Sequence, residues 1–253
     1  MTVIEQIVLF SVALIANGLS SMAGGGAGLL QLPALIFLGL PFAVALATHK
    51  VATVALGIGA TLKHSGGGHI ELRFALLMLS CGVPGVVLGA KIILNVPEVV
   101  AQVALGALTI GLGLYSYLKK HLGQIHEPKN RGTGGLLAGG LMLFLLGILN
   151  GSLTSGTGLF VTVWLIGWFG LDFKRATAYT MIMVGIFWNA TGAITLALLA
   201  PVKWEWIPAL IAGSLLGGYL GAHIGIKYGN PLIKRVFEVI TMLTGIALII
   251  KSL

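Results

Sequence analysis

Charge is scarce in this chain. Only 9% of its 253 residues are Asp, Glu, Lys or Arg, against 57% hydrophobic residues. So few polar groups cannot coat a soluble globule of this size, which excludes a water-soluble domain and places the chain in lipid. Acidic residues are scarcer still, seven in all. There is no paired-aspartate arrangement, no His-Glu-x-x-His and no Cys/His cluster, so the equipment of an intramembrane hydrolase or metalloenzyme is missing. No enzyme activity, cofactor or metal is therefore expected. The single cysteine, Cys81, rules out a disulfide within the chain and reads as a small packing residue.

What the chain has in quantity is apolar sequence of membrane-spanning length, about 20 residues per stretch. Such stretches run from Ile4 to Met22, Ala43 to Leu62, Phe74 to Leu94, Val99 to Leu118, Gly134 to Leu153, Ala176 to Leu199, Ile207 to Ile226 and Val236 to Ile250. The first opens on Glu5 rather than a basic segment and lacks a cleavage-type ending, so it is read as a retained helix. The net charge of +8 needs no nucleic-acid partner, because cytoplasmic loops of membrane proteins are basic.

The chain also repeats itself. Asn17-Gly18, Gly24-Gly25-Gly26-Ala27-Gly28 and Thr48 return as Asn150-Gly151, Ser155-Gly156-Thr157-Gly158 and Thr180, and Leu88-Gly89-Ala90 returns as Leu220-Gly221-Ala222. The offset is 180 − 48 = 132 and 221 − 89 = 132, with small slips elsewhere, which marks a duplication. Each half holds a long segment, a short one led by glycine (Gly28 to Leu40; Gly158 to Leu171) and three more long ones. A short segment of about 13 residues reaches only about 20 Å against a core of roughly 30 Å. The first two segments of each half therefore form a lopsided hairpin or a re-entrant pair, and either returns the chain to its starting side.

Lysine and arginine decide the orientation. Parallel halves would divide them eight against six between the two faces. Inverted halves gather Lys63, Arg73, Lys119, Lys120, Lys129, Arg131, Lys174, Arg175, Lys227, Lys234 and Arg235 on one face and leave Lys91, Lys203 and Lys251 on the other. Eleven against three is a positive-inside signal. The expected fold is an all-α polytopic membrane protein of two inverted repeats, about five segments each, with a short broken or re-entrant helix in each. The repeats cover residues 1–118 and 134–253, joined by a cytoplasmic linker at 119–133. Both termini fall outside, in the inner (cell) membrane.

The glycine turns carry the first functional candidate. Gly24, Gly25, Gly26 and Gly28 lead straight into a short helix, so the backbone N–H groups of Gly26 to Leu29 should lack intrahelical partners and offer an anion site. Ser155, Gly156, Thr157 and Gly158 repeat this from the opposite face and add hydroxyls; the alternative is that these glycines serve close packing. Pro33 should kink the first short helix and has no counterpart in the second. Asn17, Ser20 and Ser21 before one turn, and Asn150, Ser152 and Thr154 before the other, either line a cavity or bond between helices.

Thr48-His49-Lys50 breaks the symmetry, its counterpart being Thr180-Met181-Ile182. A lysine well inside an apolar segment costs at least a few kcal/mol unless paired or hydrated, and its helix holds no acid. An anionic substrate would supply the missing charge; snorkelling to the interface is the alternative. His49 is a candidate to titrate during transport or to make a structural hydrogen bond. Asn189, deep in its helix and aligned with Gly57, is a further cavity candidate.

The paired Gly-rich turns, the Gly-Leu breaks after each short helix (Gly39-Leu40; Gly170-Leu171) and the Ala/Thr steps ending at Thr48 and Thr180 resemble the sulfite exporter TauE/SafE family of membrane transporters over nearly the whole chain. The resemblance implies movement of sulfite, organosulfonates or related sulfur anions. The family's fuller glycine run is thinned in the second copy to Gly156-Thr157-Gly158, which leaves the two half-sites unequal. The expected partners are a small anionic substrate, protons as a candidate co-substrate, and the bilayer, with a homodimer left open. A membrane scaffold or accessory subunit, or a carrier of an unrelated small anion, is the alternative.

Overall fold

In the computed structural model the described residues are 2–23, 25–64, 70–118, 126–154, 156–228 and 231–252, and among them there is no β-strand. The elements of the first half are α1 (Val3–Ala23), a 3-10 turn (Ala27–Leu29), α2 (Gln31–Phe37), α3 (Phe42–His64), α4 (Leu72–Ile93) and α5 (Glu98–Leu118). The second half has α6 (Thr133–Ser152), α7 (Thr157–Gly167), α8 (Phe173–Tyr179), a π-helical stretch (Thr180–Trp188), α9 (Asn189–Leu199), a 3-10 turn (Trp204–Trp206), α10 (Ile207–Tyr228) and α11 (Pro231–Ser252). Six helical stretches are long and apolar enough to cross a membrane. Their outer faces carry large apolar residues that water would not tolerate in such number: Ile4, Leu72, Leu137 and Leu198 are all at least 70% exposed. The protein is an all-helical polytopic membrane protein.

The expected short segments are present, and the first is broken as the sequence demands. Proline at position 33 has no N–H to offer the carbonyl four residues back, and its ring crowds that carbonyl. The helix accordingly stops at Leu29 and restarts at Gln31, which leaves Pro33 in the first turn of α2. The second copy, without a proline, runs unbroken for 11 residues in α7.

Lipid gives no hydrophobic reward for helix association, so close backbone approach has to hold the bundle. Helix α1 lies along α10, where a Cβ added at Gly213, Gly217, Gly221 or Gly225 would strike the backbone at Phe10, Leu14, Gly18 or Met22 respectively. The two sets of numbers rise together, so these helices are parallel. Helix α6 lies along α4 in the same sense, with Gly140 against Cys81, Gly147 against Gly82 and Gly151 against Val86. This is the α1–α10 pairing with the halves exchanged. The central helices behave differently. Gly57 of α3 abuts Gly185, while Lys50, two turns earlier, reaches Asn189 and Gly192. The order is reversed, so α3 runs antiparallel to its counterpart. Helices α5 and α11 are likewise antiparallel, with Gly106 beside Ile249 and Ile110 beside Gly245.

The loops follow the same exchange. The backbone N–H of Lys203, before α10, donates to Thr48 Oγ1 at 3.0 Å. The backbone N–H of Glu71, before α4, donates to the Tyr179 hydroxyl at 2.7 Å. Positions 71 and 203 are separated by the repeat offset of 132.

The Gly57–Gly185 contact sets a test of this packing. Gly57→Ala forces a methyl into the Gly185 backbone and should lower stability by about 1–3 kcal/mol. Gly111→Ala, where a Cβ meets nothing within 4 Å, should be neutral or gain roughly 0.5–1 kcal/mol. Thermal unfolding of the two detergent-solubilised variants separates these outcomes.

Candidate functional site

The two glycine turns meet. Gly25 adopts φ 137° and Gly26 φ 106°, conformations open to glycine and strained for other residues. They bring the first turn so close to the second that a Cβ on Gly25 would lie 2.5 Å from the Gly158 carbonyl carbon. The second turn takes φ 66° at Gly156 and φ 56° at Thr154. A β-branched residue in the left-handed region is an outlier, and such strain gathers at functional sites. Thr154 is held there by its neighbours: its N–H donates to Leu149 O at 3.0 Å, and its carbonyl accepts from the Thr157 hydroxyl at 3.0 Å. Its methyl packs on Gly28, where a Cβ would lie 2.8 Å away.

Between these turns, α3 and the π-helical stretch lies a cavity of about 30 Å³, room for about one water molecule. From the first half it is lined by Ser20, Gly25, Gly26, Ala27, Gly28, His49, Thr53 and Leu56. From the second come Asn150, Thr154, Thr157, Gly158, Thr180, Met181, Val184, Gly185 and Asn189. The amides of Gly26, Ala27 and Gly28 donate to no described residue, whereas that of Leu29 is spent on Gly26 O at 2.9 Å. The expected run of free N–H groups is therefore one residue shorter, because the helix begins as a tight 3-10 turn.

Lys50 is wholly buried but stands behind the lining rather than in it. Its Nζ donates to Asn150 Oδ1 at 2.7 Å and Asn189 Oδ1 at 2.9 Å, and its methylenes pack on Gly192. No carboxylate of a described residue pairs with it; the ion pairs found lie among residues 71–131, 172–175 and 203–205. A lysine amine can only donate, so both asparagines must turn their oxygens towards it and their Nδ2 groups away. Asn150 Nδ2 donates to Thr157 Oγ1 at 2.9 Å, while Asn189 Nδ2 meets no described acceptor and borders the cavity. His49 faces the cavity too, with its buried Nδ1 unpartnered. Met181 lines the cavity from the equivalent position of the other half.

The remaining expected residues that the structure describes fall outside the lining. Thr48 is occupied by Lys203. Asn17 donates to Ala13 O, Gln31 Oε1 and Ser214 Oγ at 2.7, 3.0 and 3.0 Å, and Ser21 donates to Gly218 O at 2.8 Å. Of the two roles the sequence left open for that stretch, these residues bond between helices. Gly156 serves as the left-handed residue before α7. Gly24 and Ser155 lie outside the described residues. Leu56, Met181, Val184 and Gly185 were not foreseen as lining. Met181, Val184 and Gly185 belong to the π-helical stretch, a rare geometry associated with functional sites.

The sequence comparisons follow the geometry. A family model described as sulfite exporter TauE/SafE matches residues 9–248. A Sinorhizobium sp protein named "Probable membrane transporter protein ORF9" is 31% identical over 246 residues, which is 97% of this chain and 91% of that one. One from Haemophilus influenzae, named "Probable membrane transporter protein", is 28% identical over 237 residues, 93% and 91% of the two chains. YfcA of Escherichia coli K12, named in the same way, is 29% identical over 249 residues, 97% and 90% of the two chains. No solved structure matches.

The lysine cluster makes a stability prediction that separates its members. Asn189→Ala strips one acceptor from a buried amine and should cost about 1–3 kcal/mol. Lys50→Met removes the amine and leaves two buried acceptors, Asn150 Oδ1 and Asn189 Oδ1, without their donor, so by the same rule it should cost more. Melting curves should therefore show Lys50→Met as the less stable of the two.

Proposed function

The chain belongs to the sulfite exporter TauE/SafE family of membrane transporters, and from that premise we propose that it carries sulfite, an organosulfonate or a related small sulfur oxyanion by alternating access. The observation that carries this reading is the buried Lys50 amine with only neutral partners among the described residues, placed directly behind two asparagines that line the cavity between the glycine turns. Its field favours an anion there, and in protein surroundings that field is screened far less than in water. The anion would be gripped by donors that are already aimed: the amides of Gly26 to Gly28 and Asn189 Nδ2. In this assignment Lys50 is a positioning and counter-charge residue that acts through the two asparagines. His49, with an unpartnered Nδ1 on the cavity, is the group placed to exchange a proton with the cargo.

We further infer that the two halves are inverted repeats, 1–118 and 134–253, about a linker at 119–133. The antiparallel course of α3 against the π-helical stretch and α9, and of α5 against α11, supports this, because a two-fold axis relating antiparallel counterparts lies in the membrane plane. The glycine turns then enter from opposite faces as the ends of two re-entrant pairs, with both termini outside the inner membrane. A cavity that fits one water must widen to admit an oxyanion, and rocking of one half against the other would do so. Export is the direction the family description favours.

Two measurements test the reading. In proteoliposomes, sulfite or sulfoacetate flux should fall about 10- to 150-fold in Lys50→Met, the range set by losing a charge-assisted contact of about 1.5–3 kcal/mol; undiminished flux would remove the lysine from the mechanism. For topology, cysteines introduced at Lys129 and Lys203 in a Cys81→Ser background should react with an impermeant thiol reagent added outside cells only at position 203. Labelling at 129 would overturn the inversion.

A further inference from the structure

Away from the central cavity, a groove of about 870 Å³ lies between α4 and α6. A second hollow of about 490 Å³ shares Leu77, Ser80 and Leu136 with it and continues it along the same pair of helices to Phe144. The walls are apolar along their depth except for Ser80, whose hydroxyl is spent on Leu77 O, and the charged groups collect at one end, where Glu71, Arg73 and Arg131 stand at the starts of the two parallel helices. We propose that this groove is a binding site for an anionic phospholipid of the basic-side leaflet, with its headgroup on the two arginines and an acyl chain laid along α4 and α6.

Three observations fit that occupant. The first is depth. From Arg73 to Val83 is ten residues of helix, and from Thr133 to Phe144 is eleven, rises of about 15 and 16 Å at 1.5 Å each. Half of a hydrocarbon core of about 30 Å is the same length, so a chain anchored at the arginines ends where the groove ends.

The second is charge. Arg73 has no ion-pair or hydrogen-bond partner among the described residues. The Arg131 guanidinium carbon lies 4.6 Å from the Phe74 ring centre and 5.6 Å from that of Phe169, and its Nε is buried without a partner among the described residues. Glu71 approaches Arg131 only at 3.8 Å and is 65% exposed, a pairing worth little that a phosphate can displace. A planar guanidinium suits bidentate phosphate binding. Basic pockets between helices on the cytoplasmic side are the usual setting for anionic headgroups.

The third is asymmetry. The equivalent face of the other half, between α1 and α10, opens on Lys203 and Glu205, which pair with each other at 2.9 Å and leave no free guanidinium. The site thus belongs to one leaflet. A second copy of this chain would need to bring its own anionic or apolar filler to the groove, and two copies related by a two-fold axis would set the same arginines near one another.

The test uses the purified full-length chain in detergent and does not depend on transport, so it stands or fails separately from the substrate assignment. Titrated with phosphatidylglycerol and phosphatidylcholine and read by native mass spectrometry, the wild type should retain phosphatidylglycerol preferentially. Arg73→Gln, at an exposed position, should lower that preference about fivefold and Arg73→Gln/Arg131→Gln about 30-fold, from the share of each basic group near a headgroup. Leu137→Trp, at a 70% exposed wall position, should reduce retention of both lipids by crowding the acyl track. Equal retention of the two lipids by the wild type, or wild-type preference in the folded Arg73→Gln protein, would overturn the proposal. So would a dimer that survives delipidation with position 137 shielded from labelling.

Discussion

A lysine amine sealed inside a lipid-embedded bundle, with two amide oxygens and no carboxylate of a described residue around it, constrains the elements near it. Its hydrogen bonds reach from α3 to the last turn of α6 and to the start of α9. One side chain of the first half thereby fixes two elements of the second. Because the amine only donates, it sets the orientation of both asparagine amides, and the donor character of the cavity wall follows. The glycines make the geometry reachable. Gly192 leaves room for the lysine methylenes, and the Gly57–Gly185 approach lets α3 lie against the π-helical stretch at the distance the lysine can span. A larger residue at either place would move the amine away from its acceptors before it touched the cavity itself.

The same logic explains why so many glycines are spread along the helices. In water, an apolar stripe would hold α1 to α10, but in lipid a leucine gains nothing by leaving tails for protein. Contact then has to come from backbone close to backbone, and the ladder Gly213, Gly217, Gly221 and Gly225 recurs at the four-residue spacing that keeps one face of α10 bare. Side chains of real size point outward instead, as the exposed leucines and isoleucines do. The packing face is small and the solvent face large, the reverse of a soluble helix.

Much of this was legible in the sequence. Each long apolar run became a helix within a few residues of its ends, because a span must satisfy its own backbone and length alone marks it. Pro33 forecast the break between the 3-10 turn and α2. What could not be read was pairing over distance. The Thr48 hydroxyl is taken by a backbone N–H 155 residues away, and Asn17 by a serine 197 residues away; no local pattern encodes either. Thr48 and Asn17 looked like site residues because they are polar in an apolar setting, a property that interhelical bonds and binding sites share. The π-helical stretch left no trace at all. Thr180 to Trp188 is almost uniformly apolar, so no periodicity distinguishes 3.6 residues per turn from a wider winding.

The departure from symmetry at position 50 has an energetic consequence for any carrier built from inverted halves. If the halves were identical, the inward- and outward-open conformations would be mirror exchanges of one another and equal in free energy with the cavity empty. Lys50 has no counterpart, since Ile182 occupies the equivalent place, and His49 opposes Met181 across the cavity. A conformation that keeps the lysine on both asparagines and one that loosens either bond differ by the cost of stranding a buried donor, about 1–3 kcal/mol. That is enough to shift a two-state population by roughly 5- to 150-fold. On the proposed assignment, an anion entering the cavity offers its own charge and acceptors to the same network, so it relieves most the conformation in which the lysine is least satisfied. Cargo and conformational preference are then linked through one side chain, and the share of the preference that Lys50 supplies is lost in a chain where position 50 carries no charge.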